Sequence, residues 1–260
     1  MANAALHVAR TGLDAQNSRM RVIANNLANV NTTGFKRDRA TFETLAYQNI
    51  TTPGAPSSEA NKYAIGLSLG SGVQMTGTAR IDTQGSFTTT SNALDLAIEG
   101  NGYFQVLRPD GGTAYTRAGD FNMSAEGKLV TGTGMSVQPE IQIPDGAQAI
   151  SIGADGTVSA TVAGVSTELG KIETARFVNA AGLQNVGDNL LVETAASGTP
   201  QVGAPGSEGR GTLRSGALEA SNVNVVEELV DMIETQRAYE VNSKMISATD
   251  EMLKYVNQQL

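Results

Sequence analysis

The side chains best suited to acid–base or ligand chemistry are thinly spread in this chain. There is one histidine, His7, and no cysteine. A single histidine cannot build a multi-histidine metal site within one chain, and it leaves any serine nucleophile with only one imidazole to call on. His7 lies in a terminal stretch of helical periodicity with no supporting motif, and reads as plain helix surface. The lack of cysteine removes disulfides, thiolate ligands and thiol nucleophiles, and is compatible with any redox compartment. Gly127-Lys128 tests as a phosphate loop and fails. Leu129 replaces the required Ser/Thr, and Asn122 stands where the first glycine should be. EGNGYF (99–104) carries Gly-x-Gly without a third glycine or a following helix, and reads as a tight turn between strands. No carboxylate pair sits in a glycosidase-like context. Asn31-Thr32-Thr33, Asn49-Ile50-Thr51 and Asn122-Met123-Ser124 match the glycosylation pattern, which carries meaning only in a eukaryotic secretory protein. These residues predict neither an enzyme nor a cofactor or metal site. The enzyme class kept for comparison is a secreted carbohydrate-active one, which needs a carboxylate pair in a cleft.

The bulk properties narrow the classes further. The chain has 260 residues, enough for a sizeable core and one or two domains. Aromatic residues make up 5%, tryptophan is absent and there are 29 glycines. That is a turn-rich composition, unlike the lining of an aromatic ligand pocket. A net charge of −8 argues against nucleic acid as a partner of the whole chain. No apolar run approaches the roughly 18 residues that span a bilayer, so no membrane insertion is expected. Residues 1–25 are polar and interrupted and do not resemble a cleaved secretory signal.

The elements that must position any function lie at the two ends. Leu6, Ala9, Leu13, Gln16, Met20, Ile23, Leu27 and Val30 follow one another at spacings of three and four, apolar except for Gln16. They predict a long helix, with Gly34 as its left-handed cap. Val225, Met232, Tyr239, Ile246, Leu253 and Leu260 recur at sevens. Their companion column, Leu229, Gln236, Ser243, Asp250 and Asn257, is mostly polar, which suits a helix with several neighbours better than a two-stranded zipper. Asn224 and Glu227 resemble a capping box. Residues 1–40 carry six basic and two acidic side chains, a net of +4, and residues 221–260 carry seven acidic and three basic, a net of −4. Helices of opposite charge are suited to pair. The seams are open to two readings: an intramolecular helix pair on a β-domain, or assembly with other chains. Residues 73–220 read as β-rich, through Asp110-Gly111, Asp145-Gly146 and Asp155-Gly156 turns and the alternating runs YFQVL, AISIG and GTVSATV. Residues 51–72 are Pro/Gly/Ser-rich with no clear element. The predicted fold is therefore mixed α+β. It has long terminal helices forming an antiparallel coiled-coil-like pair, and a central all-β domain of irregular antiparallel sheet. The expected divisions are a helix over 1–35, an extended connector over 36–72, a β-rich domain over 73–220 and a helix over 221–260.

Specific runs carry a resemblance. LDAQNSRMRVIANNLANVNTTGFKRDRATFETLAYQ (13–48) and SNVNVVEELVDMIETQRAYEVNSKMISATDEMLKYVNQ (221–258) resemble the terminal signatures of bacterial flagellar rod and hook proteins. DLAIEGNGYFQV (95–106), AYTRAGDFNMSAEGKLVTGTG (114–134) and LQNVGDNLLVETAASG (183–198) are similar to the middle of that family. The likeness covers essentially the whole chain. Within the family, Tyr47–Val73 with PGAPSSE (53–59) is similar to the segment of the straight distal rod. A hook or proximal-rod subunit is the alternative.

The resemblance implies a structural subunit of a straight hollow tube, which transmits torque from motor to hook and provides an export channel. It implies several partners: further copies of the chain, proximal rod proteins, the hook protein and hook junction, peptidoglycan-ring and outer-membrane-ring proteins, and the flagellar type III export apparatus. It places the chain in the basal body, from periplasm to outer membrane, after export without a cleaved signal. Leu6, Leu13, Met20, Ile23, Asn25, Asn26, Leu27, Asn29 and Val30 would then serve self-assembly from the N-terminal helix. Val225, Leu229, Met232, Gln236, Tyr239, Ile246 and Leu253 would do so from the C-terminal helix. Pro53, Gly54, Pro56, Ser57 and Ser58 would form a stiffening loop. Met20, Ile23, Leu27 and Val30 are expected to face the chain's own C-terminal helix. Asn25, Asn26 and Asn29 are expected to face other subunits or the channel, since an amide can bond at a polar interface without bringing in charge.

Overall fold

The computed structural model describes residues 2–56, 62–147, 149–162 and 164–259. Two helices bracket the chain, α1 (Ala2–Ala28) and α2 (Val225–Gln259), and short antiparallel strands fill the region between them. The residues form two compact units. One comprises Met1–Leu27, Asp38–Ala79 and Asn224–Leu260, and the other Ala28–Arg37 and Arg80–Val223.

In the helical unit, three contacts fix the relative direction of α1 and α2. A methyl group on Gly12 would lie 3.1 Å from the Asn242 amide, Arg19 pairs with Asp231 at 3.2 Å, and Asn26 bonds Glu228 at 3.2 Å. Partners descend along α2 as α1 ascends, so the helices run antiparallel. Gly12 costs α1 about 1 kcal/mol of intrinsic propensity relative to Ala, and it lets Asn242 approach closely. α2 begins at an Asn224 cap, whose side chain accepts from Val226 N–H at 3.1 Å while its carbonyl accepts from Glu228 N–H at 3.0 Å. The segment between the helices is not bare linker. Strand Asp38–Thr44 pairs with Val73–Arg80, and Gln48–Thr51 pairs antiparallel with Leu67–Leu69 to form a two-stranded ribbon. No alternating pattern marked Asp38–Thr44, Gln48–Thr51 or Leu67–Leu69, because most of their side chains face solvent.

The β unit is built around the run YFQVL, which forms strand Tyr103–Leu107. Its period of two sends Phe104 and Val106 to one face of a seven-stranded sheet and Tyr103 to the other. The first face packs on Leu96, Ile98, Phe121, Val137, Ile172 and Leu213, with Phe104 and Phe121 edge-to-face at 5.0 Å. The second packs on Tyr115, Phe177, Leu183 and Leu191. Asp110-Gly111 turns this strand into Thr113–Thr116, and Asp155-Gly156 joins Ala149–Ile152 to Thr157–Val162, as turn chemistry predicts. Asp145-Gly146 also turns, but the strands on either side of it pair elsewhere. Gly34 departs from expectation. α1 ends six residues earlier, at Ala28. Gly34 is left-handed (φ 69°) because it lies against the 117–118 backbone, where a methyl group would come within 2.6 Å of Ala118 N.

Candidate assembly surfaces

The predicted N-terminal residues divide by burial. Ile23 and Asn26 are buried. Leu6, Leu13, Met20, Leu27, Asn29 and Val30 are half-buried, and Asn25 is exposed. Asn26 corrects the expectation for the amides, because it faces inward. Its Nδ2 donates to the Asp38 carbonyl at 2.9 Å and to the Glu228 carboxylate, and its Oδ1 accepts from Asp38 N–H at 2.9 Å. A side chain that both donates and accepts is what this place needs: it joins the start of a strand to a buried acid near the start of α2. A hydrocarbon here would remove the acceptor of the Asp38 amide and the Asn26 donor to Glu228.

α2 presents a different inner face from the one its sevenfold column suggests. Of that column, Met232, Ile246 and Leu253 are half-buried, whereas Val225 and Tyr239 are exposed, as are Leu229 and Gln236 of the companion column. The inward stripe is Glu228, Asp231, Thr235, Ala238, Asn242, Ile246, Thr249 and Leu253, spaced by three and four, of which Glu228 and Thr235 are buried. Small and polar residues let α1 come close, so apolar bulk is left over for other faces.

That bulk forms a stripe of its own. Val226, Val230, Ile233, Val241, Met245, Met252 and Tyr255 recur at helical spacing, and each is 51–70% exposed. At 100° per residue they cover about 120° of α2, centred about 120° from the inward stripe and bordering it at Met245. A helix with apolar residues on several faces belongs where it is surrounded. This stripe was present in the sequence, readable from the same periodicity, but the regular sevens of the Val225 column masked it. The ribbon offers a second apolar surface: Tyr47, Ile50, Leu67 and Leu69 are exposed, and Ile65 is 83% exposed. Between its strands, Pro53, Gly54 and Pro56 are solvent-facing, with Gly54 N–H donating to the Tyr63 carbonyl at 2.8 Å. Ser57 and Ser58 lie outside the described residues.

Acid–base chemistry finds little purchase. His7 Nδ1 lies 3.3 Å from the Ser71 carbonyl oxygen. Thr11 and Ser18, which share a groove of about 300 Å³ with it, donate their hydroxyls to the helix carbonyls of Val8 and Asp14. Among the described residues, no cluster of histidine or carboxylate side chains could hold a metal ion, and no helix is long and apolar enough to cross a membrane.

The strongest electrostatic centre is structural and lies in the β unit. Glu219, fully buried, accepts from Lys36 Nζ at 2.5 Å, Arg117 Nε at 2.7 Å and Gly85 N–H at 3.0 Å. Burial pushes its carboxyl up, but the Arg117 and Lys36 charges outweigh that and hold it below the usual carboxylate range. Burial pulls the Lys36 ammonium down against the pull of Glu219. The Arg117 guanidinium also donates to the carbonyls of Gly102, Ile98 and Gly100, which locks the EGNGYF turn. No motif pointed to this centre, since its members are spread over more than 180 residues.

Three regions of the chain match known protein families. Residues 6–36 match the family described as flagella basal body rod protein, 97–160 the flagellar hook protein FlgE/F/G D1 domain, and 214–259 the flagellar basal body rod FlgEFG protein C-terminal region. The flagellar basal-body rod protein FlgG of Buchnera aphidicola (subsp. Acyrthosiphon pisum) is 50% identical, over 97% of this chain and 98% of the relative. The FlgG of Caulobacter vibrioides is 46% identical over 98% of both chains. The FlgF rod protein of the same organism is 36% identical, over 89% of this chain and 87% of its own. With half of its residues shared along nearly its whole length, the chain belongs to the flagellar basal-body rod protein family.

Proposed function

We propose that the chain is the subunit of the distal part of the flagellar rod. In this reading it polymerises with copies of itself into a straight, hollow drive shaft that passes torque to the hook and leaves a channel for export. The assembly reading rests on the exposed apolar stripe of α2. Seven large apolar side chains along a 35-residue helix face solvent in a single chain, and packing against neighbouring helices removes them from water. At roughly 25 cal/mol per Å² of apolar surface, such a stripe supplies a substantial driving force for association. The assignment within the family is supported by the higher identity to the FlgG than to the FlgF of one organism.

Proximal rod proteins would cap one end of the polymer, and hook and hook-junction proteins the other. Peptidoglycan-ring and outer-membrane-ring proteins would surround it. Export through the type III apparatus without a cleaved signal would bring the subunits to the periplasm. An in-frame deletion in the source organism, viewed by electron microscopy of isolated basal bodies, tests the reading. The expected product keeps a short proximal rod and lacks distal rod and hook. A complete rod without a hook would instead assign the chain to the hook, and complete basal bodies in motile cells would overturn the reading outright.

A further inference from the structure

The chain passes between its two units at residues 27/28, 37/38, 79/80 and 223/224. On the β unit, three of the segments that end at those passages meet. Gly34 N–H donates to the Glu219 carbonyl at 2.8 Å, Ile81 N–H to the Arg37 carbonyl at 2.9 Å, and Ala220 N–H to the Ser86 carbonyl at 2.8 Å. Two side chains complete the junction. Asn222 Oδ1 accepts from Arg37 N–H at 2.8 Å, while its Nδ2 donates to the carbonyls of Ile81 at 2.8 Å and Thr83 at 3.0 Å. Lys36 Nζ bridges the Glu219 carboxylate and the Thr83 carbonyl at 2.8 Å. Each segment is thus bonded to both of the others through polar groups, of which the Lys36 and Glu219 side chains are buried.

Such a junction is a poor source of net stability. A buried ion pair returns little beyond its own desolvation, whereas its directional bonds tolerate only one arrangement. Lys36, Glu219 and Asn222 bond to groups within the β unit, so the arrangement does not depend on whether the terminal helices are folded. Those helices expose much of their apolar surface in the single chain and have little to order them without neighbours.

We infer that Lys36, Glu219 and Asn222 form a clasp that fixes, within the folded β unit and before assembly, the register in which the segments leading to α1 and α2 leave it. The clasp delivers the two ends to their neighbours side by side, so that assembly orders helices without first having to find their pairing. The inference holds whatever the helices later pack against. It is tested on the full-length chain as a dilute monomer, which keeps its outcome separate from that of any polymerisation assay.

The natural lack of cysteine allows spin labels at Asn31→Cys and Ser221→Cys alone, both within the β unit, with the distance between them read by pulsed electron resonance. One narrow distribution is expected. Asn222→Ala, which removes four side-chain bonds of the junction, should broaden it. The same change should accelerate exchange of the Arg37 and Ile81 amides about ten- to a hundred-fold while leaving the Phe104 and Val106 amides protected. Asn222→Asp, close in size but without the Nδ2 donors, should broaden it too, which covers the case in which the alanine variant fails to fold. A broad distribution in the unaltered chain, or a narrow one in folded Asn222 variants, would overturn the clasp.

Discussion

Glu219 is the residue on which the β unit's electrostatics turn. It pairs with two cations, Lys36 and Arg117, that are themselves more than nine-tenths buried as residues. Glu219→Gln keeps the shape but leaves both cations without a counter-ion. Breaking a buried pair this way costs about 3–5 kcal/mol, far more than the pair contributes over an apolar substitute. The expected result is a lower urea midpoint for the β unit, followed by circular dichroism, with Lys36→Met milder because Arg117 still answers Glu219. The pH dependence has a definite sign. The folded carboxyl titrates below its ordinary 4.5, so its contribution is complete above that pH and is lost as pH falls through the lowered value. Parent and Glu219→Gln stabilities should therefore converge on acidification below pH 4.5. A constant gap across that range would show that the carboxylate's charge is not what matters. The lowered Lys36 value acts at the other end, with its cost easing only as pH rises toward 10.5.

Helix α2 divides its labour by face, and the faces can be separated by substitution. Ile233→Glu with Met245→Glu alters only the outer stripe, where both side chains are about half exposed. Surface changes of that kind shift monomer stability by about 0.5 kcal/mol or less. If the stripe is buried between subunits, the charged pair should abolish rod assembly and swimming while thermal unfolding of the monomer stays put. Motile cells carrying the double variant would show that the stripe remains in water. This division also explains what periodicity reveals and what it conceals. The existence and antiparallel suitability of both helices follow from apolar spacing and opposite charge, though not the end of α1 at Ala28, and Arg19–Asp231 is one pair in which that charge is realised. Which stripe faces inward does not follow, because the decisive residues are Gly12, Asn26, Thr235 and Asn242. Their small or amide side chains let two helices approach, and they look unremarkable in a hydrophobic pattern. The β strands obeyed their own period where a core lay beneath them, as in YFQVL. They were invisible where solvent lay on both sides, as in Gln48–Thr51 and Leu67–Leu69.

At the scale of the whole chain, that ribbon is the part least accounted for by intramolecular packing. A two-stranded ribbon is marginal in water by itself. This one displays Tyr47, Ile50, Ile65, Leu67 and Leu69 rather than burying them. None of these side chains belongs to either apolar cluster of the β unit, so in the proposed polymer the ribbon's apolar surface is free to pack on another molecule. In a helical polymer the nearest candidate is the adjacent copy. A wedge repeated at every subunit contact resists the sliding that would let a tube bend. Joining Thr51 to Leu67 through a short glycine linker, which deletes Pro53, Gly54, Pro56, Ser57 and Ser58, should leave the unfolding temperature of the monomer within a few degrees of the parent. In cells it should give rods that are curved or of irregular length in electron micrographs. Straight rods of normal length would place the source of stiffness elsewhere, most directly in the packing of the α2 stripe.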